Sequence, residues 1–351
     1  MDSFTHDGLQ FDVRDEGPRD GAVVVLLHGY PEDSSTWTQV VPQLHAAGFR
    51  TLAPDQRGYS PGARPTDIEA YTIDRLAGDI VAMLDAAGVD QAHVVGHDWG
   101  GGVAWELATH HPERVLSLTV LSTPHPSAMN WAWRHSTQGL KSWYMLVFQL
   151  PVVPELLTHA GFVQTLVRSG LPRADAHRYA RRFPTWPELT GAINWYRALR
   201  VSIRNGQGQR PPRVTVPTTY VWGRQDFALG RAAAERTGRY VDGDYRFVIL
   251  DAGHWLPELN AAEVSAAILA RLSAQVMTWS AGTPGCGPSP PLCHDLYGDP
   301  LSPGSAQGSQ VRWTEIVKEV ATRDTSGLGA AVPPSPWRRS VPTVSALPAS
   351  R

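Results

Sequence analysis

The sequence predicts an α/β protein: a mostly parallel β-sheet covered on both faces by helices, with an all-helical insertion between two of its strands. Three observations carry this. Short β-branched apolar runs alternate with helical periods over residues 22–121, helical pattern alone follows from 124 to about 210, and the strand pattern then resumes twice before a last amphipathic helix. Strands alternating with helices of ten or more residues imply right-handed crossovers and therefore parallel neighbours.

Each element has a local reason. Residues 22–27 form a β-branched run stopped at His28-Gly29, and 36–47 read as a helix closed by Gly48. Residues 50–53 are the next strand, ended by Pro54. Residues 71–87 have helical period with Gly88 as the stop, and 91–95 are a strand running into Gly96. A helix over 99–110 ends at Pro112, and 115–121 are again a strand. From Pro124 the segment reads as helices interrupted by Pro151, Pro154, Pro172, Pro184 and Pro187. Strands return at 218–222 and 245–250, and 261–276 are the last helix. The expected organisation is an α/β core over 1–123 and 211–276, a helical cap (lid) over 124–210, and a tail over 277–351. That tail holds 11 Pro, 8 Gly and 10 Ser, a composition associated with disorder.

Composition excludes several functions. With 42% apolar and 18% charged residues the chain is not disordered throughout, and a net charge of −2 without blocks of like charge removes the footprint of a nucleic-acid partner. The longest apolar run is residues 22–27, whereas a membrane span needs about twenty residues. Residues 1–10 carry no secretory pattern, and the only cysteines, Cys286 and Cys293, make no disulfide framework, which fits a reducing cytoplasm. Cys286, Cys293 and His294 in a Pro-rich stretch are too weak a pattern for a metal site, so no metal is expected. Oligomeric state is not legible.

The chemistry concentrates in Val94-Val95-Gly96-His97-Asp98-Trp99-Gly100-Gly101. A strand, Gly-x-Asp-x-Gly and a helix have the layout of a nucleophile elbow, with Asp where Ser is more common. The alternative role for Asp98 is a plain helix cap. His28-Gly29-Tyr30-Pro31 follows an earlier strand, where a second backbone N–H can meet an oxyanion. Asp226 lies just past strand 218–222 and His254 just past strand 245–250, so an acid and a base both fall at strand carboxyl ends, where open α/β sheets place ligands. Asp251 is an alternative acid that fits a turn better, and His97 is read as a supporting group directed away from the site.

These motifs, His28-Gly29-Tyr30-Pro31, Gly96-His97-Asp98-Trp99-Gly100-Gly101, Asp226 and Gly253-His254-Trp255, resemble those of the α/β-hydrolase-fold epoxide hydrolases and haloalkane dehalogenases over about residues 1–275. A carboxylate is already ionised at neutral pH, so Asp98 needs no base in order to attack carbon. The expected scheme is an alkyl ester on Asp98, hydrolysed by water that His254 activates while Asp226 orients it, with the backbone N–H groups of Tyr30 and Trp99 as oxyanion hole and no cofactor. Asn194-Trp195-Tyr196-Arg197 and Ser142-Trp143-Tyr144-Met145 resemble the epoxide-hydrolase segments that carry two acid tyrosines, which implies Tyr144 and Tyr196 as proton donors. Tyr179 is the fallback for Tyr144. Pro31, Trp99, Phe227 and Trp255 are expected to line the pocket, and Trp37 and Trp143 are further aromatic candidates. The leading expectation is an epoxide hydrolase acting on a small hydrophobic epoxide. Its rivals are a haloalkane dehalogenase, against which Tyr30 counts where one subgroup carries a halide-binding Asn, and a non-catalytic binder on the same fold.

Overall fold

The computed structural model describes residues 1–204 and 212–280, with the side chains of 275–280 left out. Eight strands, β1 (Ser3–His6), β2 (Leu9–Glu16), β3 (Val23–Leu27), β4 (Arg50–Pro54), β5 (Ala92–His97), β6 (Val115–Leu121), β7 (Thr218–Gly223) and β8 (Tyr245–Leu250), lie in one sheet in the order β1-β2-β4-β3-β5-β6-β7-β8. From β4 to β8 all neighbours are parallel, whereas β2 is antiparallel to both β1 and β4.

The hairpin β1–β2 corrects the sequence reading, which placed no strand before residue 22. Its signal was available: Asp7-Gly8 joins His6 to Leu9 with both φ angles positive, 50° and 73°, as a two-residue hairpin turn requires. Alternation in β2 sends Phe11 and Val13 into the core while Asp12 and Arg14 face water. The helix expected over 36–47 is also divided, into a 3-10 turn Ser34–Gln39 and α1 (Val41–Ala46). Pro42 has no N–H to continue a helical ladder, so the helix restarts there, and Asp33 caps the turn by accepting from the Ser35 N–H at 2.8 Å.

Helices α2 (Ile73–Ala86) and α3 (Trp99–His110) follow β4 and β5. After β6 the chain runs as α4 (Pro126–His135), α5 (Gln138–Lys141), α6 (Tyr144–Val147), α7 (Val153–Arg168), α8 (Arg173–Ala180) and α9 (Leu189–Arg204) before β7. Short helices α10 (Arg231–Arg236) and α11 (Leu256–Leu259) were not expected; α12 (Ala261–Ser280) closes the described chain. The tail beyond 280, including Cys286, Cys293 and His294, and the expected end of the insertion at 210 lie outside the described residues. No helix among the described residues is long and apolar enough to cross a membrane.

Strand β3 is buried on both faces, and its two-residue period explains how. Val23, Val25 and Leu27 join one core with Leu52, Val94, Val120 and Trp105, while Val24 and Leu26 join a second with Val95, Leu121, Leu44 and Ile268. Because β4 and β5 flank β3 on opposite sides, the strand order reverses there, and the crevice at the carboxyl ends of β3 and β5 opens at that reversal.

A buried ion pair ties this crevice to its surroundings. Arg57, in the turn after β4, donates to both carboxylate oxygens of Asp79 on α2 at 2.8 and 2.6 Å, and its carbonyl accepts from Trp195 Nε1 on α9 at 2.8 Å. The neighbouring Gln56 N–H donates to His28 Nε2 at 3.1 Å, and Gln56 Nε2 to the His28 carbonyl at 2.6 Å. One turn therefore holds α2, α9 and the loop after β3. Asp79→Ala would leave the buried Arg57 guanidinium with only the Asp7 carboxylate, 3.5 Å away, and is expected to cost about 3–5 kcal/mol, read as a lowered urea midpoint at pH 7.

Candidate active site

Asp98 sits at the junction of β5 and α3 with φ 47° and ψ −119°, a conformation that costs a non-glycine residue of order 1–3 kcal/mol. The turn is possible because of its glycines: a Cβ on Gly96 would strike the Gly100 backbone, and one on Gly100 would strike the backbone of Leu27 and His28. The carboxylate makes no cap bond to its own helix. Instead Oδ1 accepts the Tyr30 N–H at 2.9 Å, while Oδ2 stands 3.6 Å from His254 Nε2. The helix-cap alternative is thereby removed. Trp99 opens α3, where first-turn N–H groups have no acceptor within the helix.

His254 and Asp226 arrive from separate loops, after β8 and β7. His254 Nδ1 bonds Asp226 Oδ2 at 2.9 Å, and Asp226 Oδ1 accepts the N–H groups of Ala228 and Leu229 at 2.8 and 2.9 Å. Burial alone would push the Asp226 carboxyl up, but the His254 charge, the hydrogen bond and the two amides together hold it below the usual range. Burial disfavours the His254 cation, yet the facing carboxylates, Asp226 first, raise its pKa above the ordinary value. Asp251 is exposed and meets Arg224 and Gln225, so it does not contact the pair.

Tyr144 begins α6 and Tyr196 lies on α9, with ring centroids 5.9 Å apart. Tyr196 also packs edge-on against Trp99 at 5.0 Å and Tyr30 at 5.3 Å. Burial, then nearby negative charge that includes Asp98, pushes both phenols well above their ordinary pKa, so both stay protonated through neutral pH. Tyr179 is elsewhere: its hydroxyl donates to Glu258 at 2.6 Å. Phe227 is half exposed with its ring 5.2 Å from His254, and Trp255 is buried 5.3 Å from it, its Nε1 held by Ser169. Pro31 is buried beside Tyr30. Two aromatic candidates are corrected: Trp37 is sealed in the core beneath the sheet, and Trp143 is 64% exposed. Phe148, not predicted as lining, packs against Tyr30, Tyr144 and Tyr196.

Sequence reading also missed Glu32. Its Oε2 accepts the Gly29 N–H at 2.7 Å and its Oε1 lies 2.8 Å from His97 Nδ1, while His97 Nε2 donates to the His254 carbonyl at 2.9 Å. His97 is thus engaged by Glu32 and the His254 carbonyl, and it links the loop carrying Gly29 and Tyr30 to the loop carrying His254. Gln138 on α5 does comparable work, donating to the Ala228 carbonyl at 2.7 Å and accepting the Gly230 N–H at 2.7 Å. Nothing in local sequence marks either residue, because the His97 that meets Glu32 and the Ala228 and Gly230 that meet Gln138 lie far along the chain.

Fold and site together define a class: an α/β hydrolase whose elbow presents a carboxylate. The chain matches the alpha/beta hydrolase fold family over residues 22–261. It is 36% identical over 277 residues to the AB hydrolase superfamily protein YfhM of Bacillus subtilis, covering 76% of this chain and 96% of that one. It is 32% identical over 305 residues to Epoxide hydrolase A of Mycobacterium tuberculosis, covering 75% and 94%. The crystal structure of Epoxide Hydrolase A from Mycobacterium thermoresistibile superposes with a TM-score of 0.69 at 30% identity, over 77% of this chain and 97% of that one. The chain belongs to the α/β-hydrolase-fold epoxide hydrolase family.

Burial works against the His97 cation, but Glu32 outweighs it and raises the His97 pKa to about 10. A histidine raised on folding contributes stability that is fully present below its unfolded pKa near 6.5 and is lost as pH rises through 10. His97→Gln is expected to destabilise by about 3–5 kcal/mol at pH 7. The gap to the wild type should narrow above pH 10, as read from urea unfolding at both pH values.

Proposed function

We propose that this chain hydrolyses small hydrophobic epoxides to vicinal diols through a covalent ester on Asp98. In this reading residues 1–123 and 211–276 form the catalytic core, and 124–210 form a cap that brings Tyr144 and Tyr196 over the nucleophile. Asp98 Oδ2 attacks one epoxide carbon and the carbon–oxygen bond breaks. The departing oxygen takes a proton from one phenol while the other donates a hydrogen bond. Water then attacks the ester carbonyl carbon as His254 Nε2 removes its proton. The negative oxygen that forms is Oδ1, already bonded to the Tyr30 N–H, with the Trp99 N–H as second donor. Collapse releases the diol alkoxide, which is protonated from His254, and the second proton of the water, left on the Asp98 carboxyl, passes to the phenolate, restoring both the carboxylate and the phenol.

The observation that carries this reading is the pair of protonated phenols sharing one aromatic enclosure with Asp98. A halide leaves as a stable anion and needs no acid, whereas an epoxide oxygen leaves as a strong base and does. The sequence relatives named epoxide hydrolases support the same substrate class.

The order of bond making is tested by one turnover, with enzyme in excess, in oxygen-18 water. The label is expected in the Asp98 carboxylate and not in the diol; label in the first-turnover diol overturns the ester. Tyr144→Phe with Tyr196→Phe is expected to slow ring opening by on the order of a hundred- to ten-thousand-fold. Stopped-flow or quenched single-turnover rates check this, and an unchanged rate overturns the acid assignment.

A further inference from the structure

The outer surface of the cap helices combines two features that the catalytic reading does not use. Leu140, Trp143, Leu146, Leu150, Leu156 and Leu157 are all exposed, Leu140 by 76%, Leu146 by 70% and Trp143 by 64%. Single exposed apolar residues are ordinary, but a run of them within 18 residues is not. On α7, Leu157 and Arg168, three turns apart, share one exposed face beside exposed Leu156, while Glu155, Phe162 and Leu166 are buried on the other.

The second feature is charge. Residues 124–204 hold ten Lys and Arg against three Asp and Glu, in a chain whose net charge is −2, although Arg178, Arg182, Arg197 and Arg204 are paired with Asp175, Asp55, Glu155 and Glu69. Between 115 and 174 the sequence has one acid, Glu155, and it is buried against Arg197 at 2.7 Å. That segment offers no carboxylate to solvent, whereas its Arg134 and Arg168 are exposed, and Lys141, also exposed, directs its ammonium to the Asp226 carbonyl.

We propose that this face docks on an anionic lipid surface. Exposed Leu and Trp beside Lys and Arg, without acids, is the composition that lies in a bilayer interface, the apolar groups entering the acyl boundary and the cations meeting headgroup phosphates. A symmetric contact with a second copy would bury the same apolar groups but bring two cationic faces together. Charge therefore selects the anionic lipid. The face is also next to the chemistry: exposed Trp143 precedes Tyr144, and Glu155 on the buried side of α7 is bonded to Arg197, which follows Tyr196 on α9. On the epoxide reading, docking would let a bilayer-dissolved epoxide enter without crossing water; the docking itself does not depend on that reading.

The test is flotation of the full chain with vesicles of phosphatidylcholine alone and of phosphatidylcholine with phosphatidylglycerol. Flotation is expected only with the anionic vesicles, and should weaken at high salt. Trp143→Ser, Leu146→Ser and Leu157→Ser together should weaken binding by at least about a hundredfold. Arg134→Gln and Arg168→Gln should each weaken it about fivefold. Unchanged thermal midpoints show that the variants are folded, so a failure of the activity reading leaves this result intact. The proposal is overturned if the wild type fails to float with the anionic vesicles, or if the triple variant floats equally well. It is also overturned if these side chains instead mediate a concentration-dependent dimer by sedimentation.

Discussion

The backbone of Asp98 is the constraint on which the rest depends. At φ 47° and ψ −119° this residue occupies a conformation that no local preference favours, and it persists because the surrounding structure over-determines it. Strand β5 enters along the sheet, α3 leaves across it, and the glycines at 96 and 100 let β5, α3 and the end of β3 approach within backbone contact. Thr123 Oγ1 donates to the Asp98 carbonyl, and the Tyr30 N–H holds one carboxylate oxygen. The strain lifts one carboxylate clear of its own helix and leaves its second oxygen facing His254.

The other groups must be positioned relative to that carboxylate, and they come from loops with no covalent reason to agree. The Glu32–His97 pair supplies one connection, since Glu32 fixes the Gly29 amide and His97 fixes the His254 carbonyl. Ser122 donates to that same carbonyl, and Tyr220 donates to the Ser122 carbonyl. Asp226 is secured from the opposite side by two amides and by Lys141, which reaches its carbonyl from α5. The inserted helices and the sheet are thus joined at Asp226 as well as at the aromatic enclosure. Buried polar groups placed this way are costly to leave unpaired, so the network favours one arrangement of the loops.

The helical segment above the sheet faces two solvents. Its inner side carries Tyr144, Phe148 and Tyr196 in mutual edge-on contact, an apolar enclosure whose polar tips are hydroxyl donors. Its outer side carries leucines, Trp143 and the exposed Arg134 and Arg168. Both sides are built from the same short helices, so residues adjacent in sequence face the aromatic enclosure on one side and the exterior on the other.

Much of this was legible in the sequence. Six of the eight strands, the elbow and the candidates Asp98, Asp226 and His254 could be read because each depends on local signals: period-two burial, glycine spacing, and a polar residue directly after a strand. The first hairpin was missed although its Asp7-Gly8 turn is equally local. Tertiary structure alone decided which groups meet. It turned Asp98 toward Tyr30 instead of its own helix, sent Tyr179 to Glu258 and Trp37 into the core, and paired Glu32 with His97 across 65 positions. Periodicity reports which face of an element is buried, but contacts between loops depend on how the whole sheet is ordered, and that order is set by long-range packing that no short window contains.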